Sequence, residues 1–266
     1  MRWNAEAIPR FLFALYMGAF FLYLFAPLAV MGAATFNASR FPTVTPWQGT
    51  TLEWFAALAK DGAMWQALWT SLVVAFFVVA VALPVGTAAA LVLTSLHARA
   101  RSLLYALMVS PLLTPGVVIG IATLVLWRRV GVGGGVFLIV VAQASFIICY
   151  VMLMIAARLQ RFDRTQEEAA LGLGASKFMV FRRVLLPFLR PALYAAGVLA
   201  VLQSIENYNT TLFVRGFDTP LTVYIATKVR TGLTPAVNAL ALIMIAATVI
   251  GAIAYEVARR RQARRG

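Results

Sequence analysis

From Ala67 to Leu96 the chain runs thirty residues without an acidic or basic side chain. A bilayer core of about 30 Å needs about 20 apolar residues per helical crossing, so this run is long enough to cross. In lipid each backbone N–H and C=O must find its partner within the protein, and a single continuous segment does so as a helix. Further apolar stretches follow the same logic, giving spans at about residues 11–34, 67–96, 103–127, 136–157, 191–213 and 237–255. Charged residues make up 12% of the 266, against about 25% in soluble domains, and hydrophobic ones 62%. The sequence thus predicts an all-α membrane protein, a single transmembrane domain of six helices covering residues 1–266.

The end of the first span, "VMGAATF", offers small residues suited to cleavage. Its apolar run is longer than the roughly 7–15 residues of a signal-peptide core, so the span is predicted to be retained. Six spans put both termini on one side. If that side is the cytoplasm, the inner segments hold sixteen of the 23 Lys and Arg and the outer ones seven. The positive-inside rule therefore places both ends in the cytoplasm, with Arg128 and Arg129 the one pair against it. Basic residues clustered beside spans, rather than over one soluble face, also argue against a nucleic-acid partner.

The first outer segment, with Trp47, Trp54, Phe55 and Trp65 among turn residues, predicts an interfacial helix around Leu52 to Ala59 and a surface for a partner. Pro84 with Gly86, and Pro111 with Pro115 and Gly116, predict kinked or locally opened helices. Cys149 lies in an apolar run and His97 in the short polar stretch "HARAR". Neither has a second cysteine or histidine beside it, so a disulfide within the chain and a zinc site are both excluded from the reading.

A charged segment interrupts this apolar chain: "TQEEAALGLGASKFMVFRRVLLPFLRP", Thr165 to Pro191. Thr165 and Glu168 have capping-box spacing, which predicts a helix start. Gly172 and Gly174 are natural places for it to end or bend. Ser176 can cap a second short helix, "KFMVFRRVL", that stops before Pro187. The expectation is a hairpin of two short helices, residues 163–187, held under the membrane.

Glu168-Ala169-Ala170, then Gly174, Val184 and Leu186-Pro187, closely resemble the EAA motif of ABC-importer permease subunits. "FNASRFPTVTPWQGTTLEWF", "RLQRFD" and "TPAVNALALIMI" extend the resemblance to the C-type subunit of the spermidine/putrescine permease subfamily. The resemblance implies a type I importer permease in the bacterial cytoplasmic membrane, with a second permease, a paralogue, as partner. It further implies two ATPase subunits that hold ATP and Mg, no cofactor on this chain, and a periplasmic solute-binding protein. The hairpin would be the coupling helix that docks on the ATPase. Carried over by position, Glu168, Ala169, Ala170, Gly174 and Ala175 would shape that joint, Phe178 and Phe181 would give apolar contacts, and Leu186 and Pro187 would close the motif. Arg182 and Arg183 would pair either with acids of the ATPase or with lipid phosphates.

Within the fifth stretch "SIENYNTTLF" gathers Ser204, Glu206, Asn207, Tyr208, Asn209 and Thr210. An ionisable group in a span marks a functional site by default, so Glu206 and its neighbours are candidates for a solute path. Interhelical hydrogen bonding is the competing reading. The resemblance implies a pair of aspartates here, suited to a polyamine, where this chain has Glu206-Asn207. A less charged organic cation, an amino-acid derivative and an aminophosphonate therefore stay open as solutes.

No G-x-x-x-x-G-K-[ST] occurs, so the chain has no phosphate cradle of its own. An intramembrane serine hydrolase would need a histidine within a span, and the one histidine lies in a loop. An ion-coupled carrier working through Glu206 is the third reading; internal repeats that would favour it are not evident.

Overall fold

The computed structural model describes residues 7–232 and 234–263. Arg2, Arg264 and Arg265, which enter the charge count above, lie outside the described residues. The helices are α1 (Ala7–Thr35), α2 (Glu53–Lys60), α3 (Gly62–Ser95), α4 (Ala98–Leu113), α5 (Gly116–Arg128) and α6 (Val136–Leu159). Then come α7 (Thr165–Gly172), α8 (Lys177–Val180), a π-turn (Phe181–Leu185), α9 (Leu186–Ile205), α10 (Thr211–Val214), α11 (Leu221–Thr231) and α12 (Pro235–Ala263). Among the described residues there is no strand; one isolated antiparallel bridge pairs Asn37 with Thr50.

The chain divides into two compact units, residues 63–224 and residues 1–62 with 225–266. In the second, α12 packs along α1 and α2. Between α1 and α2 the loop is organised by Asn37, fully buried, whose Nδ2 donates to the Thr43 and Pro46 carbonyls and whose Oδ1 accepts from Gln48 N–H. Trp54 on α2 donates its indole N–H to Asn37 O, which fixes the predicted interfacial helix at Glu53–Lys60.

The larger unit is built around α6. Half of the most apolar window of α6 is buried, against a third for α3, which makes α6 the central helix. Ile139, Ile147, Val151 and Met152 of α6 share one core with Val74 and Val78 of α3 and Leu189 and Ala196 of α9. Helices in lipid gain little from hydrophobic transfer between one another, so this close packing and a few hydrogen bonds hold the unit together. Cys149, buried as the sequence suggests, adds one such bond by donating to Met108 O on α4 (2.6 Å).

Four helices are long and apolar enough to cross a membrane: Arg10–Thr35, Gly62–Ser95, Val136–Leu159 and Lys177–Ile205. A bent pair makes a fifth, and the apolar described part of the last helix, Pro235–Gly251, is shorter. Two predicted spans differ in outline from the helices that hold them. The stretch 103–127 is two helices, α4 and α5, meeting at 101°. Pro115 pushes Thr114 into an extended conformation (ψ 128°), so α4 ends at Leu113, two residues beyond Pro111, which it contains. Pro84 does not open α3, which continues unbroken to Ser95.

The fifth predicted span, 191–213, lies partly in a continuous helix that begins earlier, at Lys177, and ends at Ile205. The second hairpin helix was expected to stop before Pro187; it runs on. At the π-turn the Leu186 N–H bonds Phe181 O, five residues back, and Pro187 follows in the first turn of α9, where a missing N–H costs little. Glu206 consequently sits at the C-terminal cap of α9 rather than inside a helical span.

Candidate functional site

Two separate places in the larger unit carry the predicted site residues. The first is the hairpin. Its start differs from the expected capping box: Thr165 is the first helical residue, and Asp163 accepts from both Thr165 N–H (3.0 Å) and Thr165 Oγ1 (2.8 Å). The Thr165 backbone N–H first, and its hydroxyl second, hold the Asp163 carboxyl below its ordinary value. Ser176 caps α8 as predicted, accepting from Met179 N–H (3.3 Å). Gly174 joins the two helices with φ +84°, a left-handed conformation that a side chain disfavours.

This geometry turns apolar side chains outward. Phe178 is 71% exposed and Leu173 90% exposed, with Met179 beside them. Glu168, Ala169, Gly174, Arg182 and Pro187 are exposed, whereas Ala170, Ala175, Phe181 and Leu186 are half-buried. Leu173 lies between Gly172 and the motif glycine Gly174 and is absent from the predicted set, because the motif's fixed letters skip it. At the base, Arg158 of α6 donates to Phe188 O (3.3 Å) and lies 4.2 Å from the centre of the Phe188 ring. That contact ties the hairpin's exit into α9 to the central helix.

The second place lies at the other end of α9. Twenty residues at 1.5 Å each put it about 30 Å from the hairpin exit, one bilayer core away. There the chain leaves the helix at Glu206 and re-enters it at Thr211. A cavity of about 320 Å³ opens beside this break, and Glu206, Asn207, Tyr208, Asn209 and Thr210 all line it. Phe146 and Tyr150 of α6, Gln203 of α9, and Pro111 and Thr114 at the α4–α5 bend complete much of the wall. The proline-driven bend of one span thus faces the polar break of another.

Ser204, predicted with this group, does not line the cavity. It is buried and donates to Gln143 Oε1 (2.6 Å), while Gln143 Nε2 donates to Thr211 Oγ1 (2.8 Å). Cavity lining and interhelical bonding are divided between neighbouring residues of this cluster. Gln143, Phe146 and Tyr150 were missed because an apolar run hides which face of α6 they share. Gly116 and Gly120 were missed as a pair: a Cβ on Gly120 would lie 2.6 Å from Thr210 O, so their spacing lets α5 press against the break. Among the described residues, no group of His, Cys, Asp and Glu is placed to hold a metal ion.

Against this geometry, the family of binding-protein-dependent transport system inner membrane components matches residues 82–264, which contain both places. The chain belongs to that family. It is therefore a multi-pass component of a transport system in the inner membrane, a family that works with ATPase and solute-binding partners. The spermidine/putrescine transport system permease protein PotC of Escherichia coli (strain K12) is 31% identical to this inner-membrane component, over 95% of this chain and 96% of that one. The putrescine transport system permease protein PotI of the same strain is 33% identical, over 92% and 90%. A bacterial ABC transporter involved in the import of the acidic polysaccharide alginate shares the fold, with a TM-score of 0.72, 16% identity and 98% of each chain covered.

Proposed function

We propose that the chain is the permease subunit of an ATP-driven type I importer for polyamines such as spermidine and putrescine, or a related small organic solute. Similarity to two polyamine permeases along nearly the whole chain supports the solute class. The observation that carries the coupling role is the capped hairpin with Leu173 and Phe178 turned outward. Apolar side chains there need a partner. In this reading the hairpin and both termini lie in the cytoplasm, six crossings complete the fold, and the α9–α10 break opens toward the outside.

A second permease, a paralogue, supplies the other half of the path, and two ATPase subunits beneath hold ATP and Mg. The chain itself binds no nucleotide and catalyses nothing. ATP closes the ATPase dimer and draws the coupling hairpins together, the permeases rock, and the path opens toward the solute-binding protein. Hydrolysis resets it inward. Glu206 meets the solute's ammonium group, with Asn207, Tyr208, Asn209 and Thr210 along the wall and Ser204 behind it. The single carboxylate in the cavity is what favours the second reading, a less charged solute in the same importer.

Replacing Glu168 with Lys, or Gly174 with Val, tests the joint, because one reverses an exposed charge and the other forbids the left-handed turn. In the assembled importer we expect solute-stimulated ATPase activity to fall at least about tenfold in each, corresponding to about 1.4 kcal/mol of coupling. Undiminished binding of the ATPase together with undiminished stimulation in both variants would remove the coupling role.

A further inference from the structure

Gln143 stands in the middle of α6, 1% exposed, and does not line the cavity. A buried amide is costly unless both of its ends are hydrogen-bonded. Here Oε1 accepts from Ser204, one residue before the last of α9, and Nε2 donates to Thr211, the first residue of α10. One side chain therefore ties together both ends of the break that forms the cavity wall.

The chain of bonds continues into the wall. With one lone pair taken by Gln143 Nε2, the Thr211 hydroxyl donates its proton to Asn207 Oδ1 (3.2 Å). Thr211 N–H donates to the same oxygen (3.3 Å). A backbone N–H can only donate, so the Asn207 atom facing it must be the oxygen. Thr211, whose hydroxyl Gln143 holds, thereby sets the orientation of this amide. Among the described residues nothing bonds Asn207 Nδ2, and Asn207 lines the cavity, so the NH2 is the end left for a solute. Thr222 Oγ1 donates to Asn207 O (3.2 Å) and holds the backbone in place.

We propose that Gln143 is a positioning residue and that Asn207, which it positions, determines the solute specificity of the cavity. The proposal rests on the cavity being part of the solute path. Its wall offers a carboxylate acceptor at Glu206 and, on the next residue, a hydrogen-bond donor. One ammonium group is satisfied at Glu206. A second placed beside it would meet the Asn207 NH2, donor against donor, and would lose water without gaining an acceptor. A solute that carries one ammonium and, within a few atoms, a carbonyl or hydroxyl oxygen satisfies both groups.

The test compares two probes of similar reach: putrescine, with two ammonium groups, and N-acetylputrescine, with one ammonium and one amide carbonyl. Their competitive binding to the assembled permease–ATPase complex, without binding protein, is read by saturation-transfer NMR. Wild type is expected to favour N-acetylputrescine. Asn207→Asp keeps an oxygen for both Thr211 bonds and converts the free end from donor to charged acceptor. It should shift the affinity ratio toward putrescine by about tenfold or more. Gln143→Leu releases the amide and should move the wild-type ratio toward equality.

General damage to the complex lowers both affinities together and leaves the ratio alone, so the ratio separates positioning from folding. Should Gln143→Leu fail to assemble, Asn207→Asp still decides the specificity assignment. Probe binding to wild type with a ratio unmoved by Asn207→Asp overturns the inference and leaves the solute-path reading standing. A ratio unmoved by Gln143→Leu alone overturns the positioning role. Binding of neither probe to wild type overturns the inference and the path together.

Discussion

At the scale of single residues, Asp163 starts the hairpin by accepting two hydrogen bonds from Thr165. Because those bonds favour the ionised carboxyl, its folded value lies below the ordinary one. The stabilisation is fully present above the ordinary aspartate value and is lost as pH falls through the lowered folded value. We therefore predict that protection of the Thr165–Glu168 amides, measured by hydrogen exchange and corrected for intrinsic rates, falls with pH in that window. The Asp163→Asn variant should lack this dependence. The sequence pointed to Thr165 because a threonine three residues ahead of a glutamate fits the capping box; Asp163, two residues away, instead takes the Thr165 N–H that the Glu168 carboxylate would have accepted from, and Glu168 N–H bonds Arg164 O. Glu206 was legible as a candidate from its charge, and it lines the cavity. Gln143 was not, since nothing in an apolar run states which position faces a polar neighbour.

Elements were read well where chain chemistry is local. The apolar runs became long helices, Ser176 became a cap, and Pro111 with Pro115 became a break. The sharpness of that break, 101°, depends on where α5 packs, which composition does not encode. Pro187 misled for the opposite reason: the π-turn rearranges the backbone bonds around it, so a proline that ought to stop a helix lies within a continuous one. The close approach of α5 to the break yields a prediction at this scale. Gly120→Leu drives a side chain into Thr210 O and should destabilise the unit by about 1–3 kcal/mol, read as a lowered midpoint of thermal unfolding. Gly18→Leu, where an added Cβ meets nothing within 4 Å, is the control and should leave the midpoint unchanged.

At the scale of the whole molecule, α9 has an outward-turned apolar hairpin at one end and a polar cavity at the other. The chain has one cysteine, Cys149, buried in α6, so a single substitution gives a background free of thiols. The most direct test of the central claim places cysteines at Leu173 or Phe178 in that Cys149→Ser background and cross-links membranes containing the full importer. Adducts with the ATPase subunit are expected at both positions, and none from a cysteine placed at Phe41, an exposed residue in the loop between α1 and α2. Thiols at 173 and 178 that react with a soluble reagent yet never join the ATPase would contradict it.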